Sequence, residues 1–240
     1  MAENSRLAAA DDELNFPLRV GAVMIDLDGT LLDTAPDIAA AANAMMGDLG
    51  RPALDIATIR RYIGRGVAKL IKRCLADRLD AADDAVPPPA AALESFMGHY
   101  RDSNGRHATV YPGVMEGLAL LRAKGLPLAC ITNKATAFTL PLLAATGLAA
   151  WFDEVVSGDT LPRCKPDPLQ LTHVCRRFAV DPGASVLIGD SVNDVRAARA
   201  AGCAVFCVPY GYNEGEDVRG LDCDAIVATL RDAAALIAAA

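Results

Sequence analysis

Apolar residues along this chain gather into short unbroken runs, and longer stretches of helical periodicity separate the runs. The first run, Ala22-Val23-Met24-Ile25, ends on Asp26. Four consecutive apolar residues bounded by turn residues predict a strand buried on both faces, as in a parallel sheet. Similar runs occupy 126–131, 185–190 and 204–208, with shorter candidates at 153–157 and 224–227. Helical stretches alternate with them. They run from Val114 to Lys124 with Gly125 as C-cap, from Phe138 to Gly147, from a start after Pro166 to about Phe178 and from about Val192. Thr229 opens an alanine-rich closing helix. This alternation predicts a parallel α/β sheet.

One block breaks the rhythm. Thr34-Ala35-Pro36-Asp37 reads as a helix start, with Thr34 as cap and Pro in the first turn. From there to about Asn104 the pattern is helical, without a strand, and it breaks at Gly64–Gly66 and at Val86-Pro87-Pro88-Pro89. The expected division is a flexible leader over 1–16, a core over 17–34 and 106–240, and a helical insertion over 35–105. A length of 240 residues suits one α/β domain with such an insertion.

Composition narrows the setting. Hydrophobic residues make up 52% of the chain, much of it alanine, yet no apolar run approaches the length of a membrane span. Near the N-terminus Arg6 is the only basic residue, and Asp11, Asp12 and Glu13 interrupt any signal-like stretch. The cysteines at 74, 130, 164, 175, 203, 207 and 223 form no CxxC pair, and His99, His107 and His173 lack metal-ligand spacing. A reduced, cytoplasmic protein without zinc or disulfides is expected. Net charge of −7 argues against nucleic acid as a partner.

Candidate chemistry begins at Asp26. Open α/β sheets place ligands just past the carboxyl ends of their strands. In an extended stretch Asp26 and Asp28 fall on the same side. Two close carboxylates repel unless a cation sits beside them, and Mg²⁺ suits a few carboxylates with phosphate oxygens. Thr132, Asn133 and Lys134 end a second strand, where a hydroxyl, an amide and an amine are able to hold phosphate oxygens. Inside the helical block, residues 56–76 contain no acid but carry Arg60, Arg61, Arg65, Lys69, Lys72 and Arg73. That stripe is either a solvated basic face or a positive wall attracting an anionic substrate. Gly64-Arg65-Gly66 is either a plain turn or a loop in which Arg65 and the amides after Gly66 read a substrate carboxylate.

The string DLDGTLLDT at 26–34 resembles the first motif of the haloacid dehalogenase-like hydrolases, most of which are phosphatases. Thr132 at a strand end, Lys165 before Pro166, and GDSVND at 189–194 resemble the later three motifs in order. The resemblance covers roughly residues 20–230. It implies a Rossmann-like three-layer sandwich with a parallel central sheet, and the helical block resembles one subgroup's cap. It implies Asp26 as a nucleophile forming an aspartyl-phosphate, and Asp28 as general acid and base. Mg²⁺ is implied on Asp26, Asp190 and the Asp28 backbone carbonyl. Thr132, Asn133 and Lys165 are implied to hold the phosphoryl group, with Gly29, Thr30, Gly189 and Asp194 in support. Asp194 either caps its helix or meets a metal-bound water. The second acid, Asp28, favours phosphoryl transfer over dehalogenation. The helical block, ITNKA and VPYGYNEGE resemble family members that hydrolyse 2-phosphoglycolate. Another small phosphoester, a sugar-phosphate mutase and a non-catalytic binding protein stay open. The expected partner is a small anionic phosphoester, with no nucleic acid and no membrane, and a homodimer is allowed.

Overall fold

The structure, a computed structural model, describes residues 15–81 and 86–240. Its centre is built from the four-residue apolar runs. β1 (Leu18–Val20) leads into β2 (Ala22–Ile25), and a two-residue β3 (Leu32–Asp33) follows. Four helices come next: α1 (Ala35–Asp48), α2 (Ile56–Tyr62), α3 (Gly66–Ala76) and α4 (Ala90–Ser103). The chain returns through β4 (Thr109–Val110) and α5 (Val114–Ala123) to β5 (Leu128–Ile131). Then come α6 (Thr136–Ala145), β6 (Glu154–Val156), α7 (Leu169–Phe178) and β7 (Ser185–Gly189). The last elements are α8 (Val192–Ala201), β8 (Ala204–Cys207), β9 (Ala225–Ile226), α9 (Leu230–Ala235) and β10 (Ile237–Ala239).

Six strands form one parallel sheet in the order β6-β5-β2-β7-β8-β9. Side chains alternate across it. Val23, Ile25, Leu128, Cys130, Val186, Ile188 and Phe206 pack on one face with α5 and α9. Met24, Ala129, Ile131, Leu187, Val205 and Cys207 pack on the other with α7 and α8. Both faces are covered, which is why these strands read as continuous apolar runs rather than as alternating ones. The result is the three-layer α/β sandwich expected from the sequence.

The four helices between β3 and β4 bury a separate apolar cluster. It joins alanines and methionines of α1 to Ile59, Ile71, Phe96 and Tyr100, and Phe138 and Tyr212 reach it from the sheet side. The chain leaves and re-enters through β3 and β4, which pair antiparallel. Asp37 pins the return: its buried carboxylate accepts from the backbone N–H groups of Gly105, His107 and Ala108 at 2.8, 2.8 and 3.1 Å.

Three expectations change. The closing alanine-rich segment is helical only to Ala235, and Ile237–Ala239 then pairs parallel with Leu18–Val20. Ile237 and Val20 are both buried there, so burial of the last apolar residues outweighs alanine's helix preference. The helix expected after Pro166 starts only at Leu169. Thr34 makes no side-chain cap, because its hydroxyl is used elsewhere. Of the leader, residues 1–14 lie outside the described residues, while Phe16 packs edge-on against Phe206 with ring centroids 5.9 Å apart. Residues 82–85, before the expected proline break, also lie outside them.

Candidate active site

After β2 the chain continues to β5 and β6 on one side of the sheet, and it returns to β7 and β8 on the other. The sheet therefore switches direction between β2 and β7, where a crevice opens beyond the strand ends. Asp26 follows β2 and Asp190 follows β7. The Asp26 N–H extends the ladder to Ile188 O at 2.9 Å, so its side chain is fixed by the sheet itself. Asp194 comes from the first turn of α8. It accepts from Ser191 N and Ser191 Oγ at 3.1 and 2.7 Å in a capping box.

One carboxylate oxygen each of Asp26, Asp190 and Asp194 lies within 4.8 Å of the others, and all three residues are buried. Lys165 answers part of this charge. Its Nζ donates to Asp26 Oδ1 at 2.5 Å, Asp194 Oδ1 at 2.6 Å and Ile131 O at 3.0 Å. Burial pushes Asp26 up to about 7, with Lys165 opposing and Asp194 adding to the shift. Burial, then the charges of Asp26 and Asp194, hold Asp190 well above the usual carboxylate range. Burial alone would lower Lys165, but Asp194 and Asp26 outweigh it and raise it. Four acids (Asp26, Asp28, Asp190, Asp194) and two lysines (Lys134, Lys165) line the cavity. The excess of two negative charges and the purely oxygen donor set fit a hard divalent cation.

Close backbone approach holds Asp190 in place. A Cβ at Gly29, where φ is +91°, would sit 2.3 Å from Asp190 Oδ2, and one at Gly211 would sit 2.2 Å from it. A Cβ at Gly189 would sit 2.4 Å from the Asp194 carboxyl carbon. Thr30 Oγ1 donates to Asp190 Oδ1 at 3.2 Å, and the Tyr212 N–H donates to Asp190 Oδ2.

Asp28 stands apart from the three clustered acids. Its Oδ1 accepts from Thr34 Oγ1 at 2.6 Å and from Lys134 Nζ at 2.8 Å. Lys134 is buried and lies 4.9 Å from the centre of the Tyr100 ring. Burial would depress Lys134, but the charge of Asp28 prevails and raises it. The helical unit contributes an apolar part of the wall, Ile38, Ile63, Val67, Leu70 and Phe96, while Ser191, Asn193 and Tyr212 line it from the core side.

The sequence-predicted residues converge here with three corrections. Thr132 lines the cavity and accepts from the Lys134 N–H at 3.1 Å, which leaves its own O–H to donate. Lys165, expected on the phosphoryl oxygens, has all three N–H bonds committed to protein oxygens. A phosphate reaches it only by taking over one of them. Asn133, expected in the same role, spends its amide on Gly64 O at 3.1 Å and Lys165 O at 2.8 Å. It therefore ties the sheet to the helical unit. Arg65, expected to read a carboxylate, is absent from the cavity wall. Its Nε meets Glu214 at 3.0 Å, and Arg73 meets the same carboxylate at 2.6 Å. Glu214, in a left-handed backbone conformation with φ +53°, thus holds Arg65 together with Arg73 of α3.

Lys134, which the sequence offers as a phosphate-oxygen partner at the end of β5, meets Asp28 instead, and Tyr100, also at the cavity, is not among the residues the sequence singles out. Nor does the sequence assign Tyr212 a role. Its hydroxyl accepts from Thr34 N and Ala35 N at 2.9 and 3.0 Å and donates to Asp33 at 2.5 Å. Tyr212 thus caps α1 while its backbone holds Asp190, which gives VPYGYNEGE a physical role.

A parallel sheet with acids at its switch point, a buried lysine bridging two of them and a helical unit over the crevice define a phosphotransfer-type hydrolase. Residues 20–202 match the family model of haloacid dehalogenase-like hydrolases. The chain belongs to that family and is a phosphoric monoester hydrolase. It is 56% identical to a phosphoglycolate phosphatase of Nitrosospira multiformis over 224 residues, covering 93% of this chain and 98% of the relative. It is 54% identical to one of Thiobacillus denitrificans, again covering 93% and 98%. The crystal structure of a predicted phosphoglycolate phosphatase from Haemophilus somnus 129PT superposes with a TM-score of 0.79 at 30% identity, covering 89% of this chain and 96% of that one. No helix among the described residues is long and apolar enough to cross a membrane.

Proposed function

We propose that this enzyme hydrolyses 2-phosphoglycolate to glycolate and phosphate. The relatives' names suggest the substrate, and one observation on the cavity supports it independently. Opposite the charged and polar groups at the strand ends, the helical unit contributes Ile38, Ile63, Val67, Leu70 and Phe96 to the wall. A sugar phosphate would press several hydroxyls against these side chains without partners, at a cost of roughly 1–3 kcal/mol each. A two-carbon acid ester offers them only its methylene and leaves its phosphate and carboxylate to the polar part of the site. Measuring phosphate release from a panel of phosphorylated two-carbon acids, three-carbon acids and hexoses tests this directly. Preference for a hexose phosphate would defeat it.

In the proposed mechanism an Asp26 oxygen attacks phosphorus and forms an aspartyl-phosphate. Asp28 gives its proton to the leaving alkoxide, then takes one from the water that releases phosphate. Thr132 donates its O–H to a phosphoryl oxygen. Lys165 keeps the crowded carboxylates charged and aimed. Mg²⁺ would be held by Asp26 and Asp190, with the Asp28 backbone carbonyl as a third ligand carried over from the family. When bound it supplies charge that offsets the repulsion between carboxylate and phosphate. Asp194 gives both oxygens to Lys165 and Ser191, so it acts in support of Lys165.

Two results are expected. Turnover vanishes in excess chelator and returns with Mg²⁺, whereas Ca²⁺ restores little because its longer bonds and higher coordination number loosen the attack geometry. Full activity in chelator defeats the metal assignment. Asp28→Asn slows phosphoglycolate hydrolysis by roughly a hundred- to ten-thousandfold. It slows p-nitrophenyl phosphate less, since that leaving group needs little protonation. Equal slowing of both would remove Asp28 from the acid role.

A further inference from the structure

Phosphoglycolate carries two anionic groups, and the machinery described so far addresses only the phosphate. A carboxylate pressed unpaired into an apolar pocket is strongly disfavoured. Arg65 does not supply the partner, because its guanidinium is held by Glu214 at the rim. Lys165 does not either, with its three N–H bonds spent.

Lys134 is the remaining cation on the wall. It gives one N–H to Asp28, and the rest of its ammonium lies against Tyr100, 4.9 Å from the ring centre. Next to it, on α4, Tyr100 lines the cavity, and its buried hydroxyl has no hydrogen-bond partner that meets full geometric criteria. A buried hydroxyl without a well-formed hydrogen bond, beside a buried ammonium at the same cavity, is rare and needs a reason. Burial pushes the Tyr100 phenol up to about 12, so it stays a donor at neutral pH.

The geometry points to Lys134 and Tyr100 as a carboxylate subsite that selects esters bearing a carboxylate on the carbon next to the phosphorylated oxygen. This rests on the phosphoglycolate reading and deepens it. The spacing argues for that class. Asp28 has to touch the ester oxygen to protonate it, and Lys134 lies 2.8 Å from Asp28. A carboxylate one methylene beyond the ester oxygen therefore comes within reach of the ammonium while the oxygen stays on Asp28. Longer acids would carry their charge past Lys134 into the apolar wall. The two partners come from different parts of the chain, Lys134 from the loop after β5 and Tyr100 from the helical unit. The carboxylate would thus be bound only when the helical unit lies over the sheet, as it does here.

The test compares kcat/KM for phosphoglycolate with kcat/KM for ethyl phosphate, which has the same carbon count and no carboxylate. Tyr100→Phe removes one oxygen and leaves the ring packed against Phe96 and Phe138, at centroid distances of 5.4 and 4.6 Å. It should lower the ratio about tenfold, the loss expected for one hydrogen bond to a charged group. Lys134→Met should lower the ratio further, and Lys134→Arg, which keeps the charge, should recover part of it. Because a ratio is read, damage to Asp28 common to both substrates cancels. The subsite is overturned if Tyr100→Phe and Lys134→Met slow both substrates in equal proportion. Wild-type enzyme that shows no preference for phosphoglycolate overturns the substrate reading before any variant is made, and the subsite with it.

Discussion

Replacing Asp26 by Asn should abolish turnover, by roughly ten-thousandfold or more, and leave the fold intact. Asn keeps the shape of Asp and its oxygen still accepts from Lys165. What it lacks is the negative oxygen that attacks phosphorus. The fold should tolerate the change, because Asp26 is buried beside Asp190 and Asp194 and burial already pushes its carboxyl up to about 7. Removing one of three crowded charges relieves repulsion rather than creating it. Phosphate release and thermal unfolding, measured on the same preparation, separate the two effects. A folded variant that keeps a tenth of the activity rules Asp26 out as the nucleophile. A variant that fails to fold would mean that the 2.5 Å contact to Lys165 carries more of the local stability than these electrostatics allow.

The acids were legible in the sequence because each follows a run that only a buried parallel strand produces. Val23, Met24 and Ile25 are buried on alternating faces, so the chain must leave the core at Asp26. The same holds for Val186 to Ile188 and Asp190. Chemistry confined to a strand end is local, and local patterns survive in one dimension. What the sequence concealed was pairing over distance. Lys134 meets Asp28 only because β5 lies beside β2, with Ile25 opposite Cys130. The strand order has to be known before an amine after β5 can be placed beside an acid after β2. Tyr100 reaches the cavity because α4 packs along α1, and no periodicity states which face of α4 that is. Arg65 misled for the same reason. Its glycine neighbours and charge suit an anion, but Glu214, far along the chain, already holds it. The residues misread were those whose partners come from another element.

Lys165→Met should be the most damaging single change to stability among these residues, and it should also inactivate the enzyme. Methionine preserves the apolar stem and removes the ammonium. Asp26 Oδ1, Asp194 Oδ1 and Ile131 O then lose a donor together, in a site where Lys165 is 4% exposed and the two acids are also buried. Breaking a buried ion pair by deleting one partner costs about 3–5 kcal/mol, and two carboxylates are affected here. For a chain of this size that corresponds to a fall in Tm of roughly 10 °C. The loss should depend on pH in a defined direction. Lys165 opposes the burial that raises Asp26. Without it the folded-state pKa of that carboxyl climbs further above the unfolded value. A group raised in this way binds more protons folded than unfolded, so stability falls as pH rises between the two values. The variant should therefore lose more stability at about pH 8 than at about pH 5. Added Mg²⁺ should return part of the lost Tm at the higher pH, since it replaces a positive charge among the same acids. Thermal unfolding with chelator and with Mg²⁺, at both pH values, reads all of this. A Lys165→Met protein as stable as wild type in chelator at the higher pH would show that the acid cluster does not need its lysine. The ion-pair account of the site would then fall.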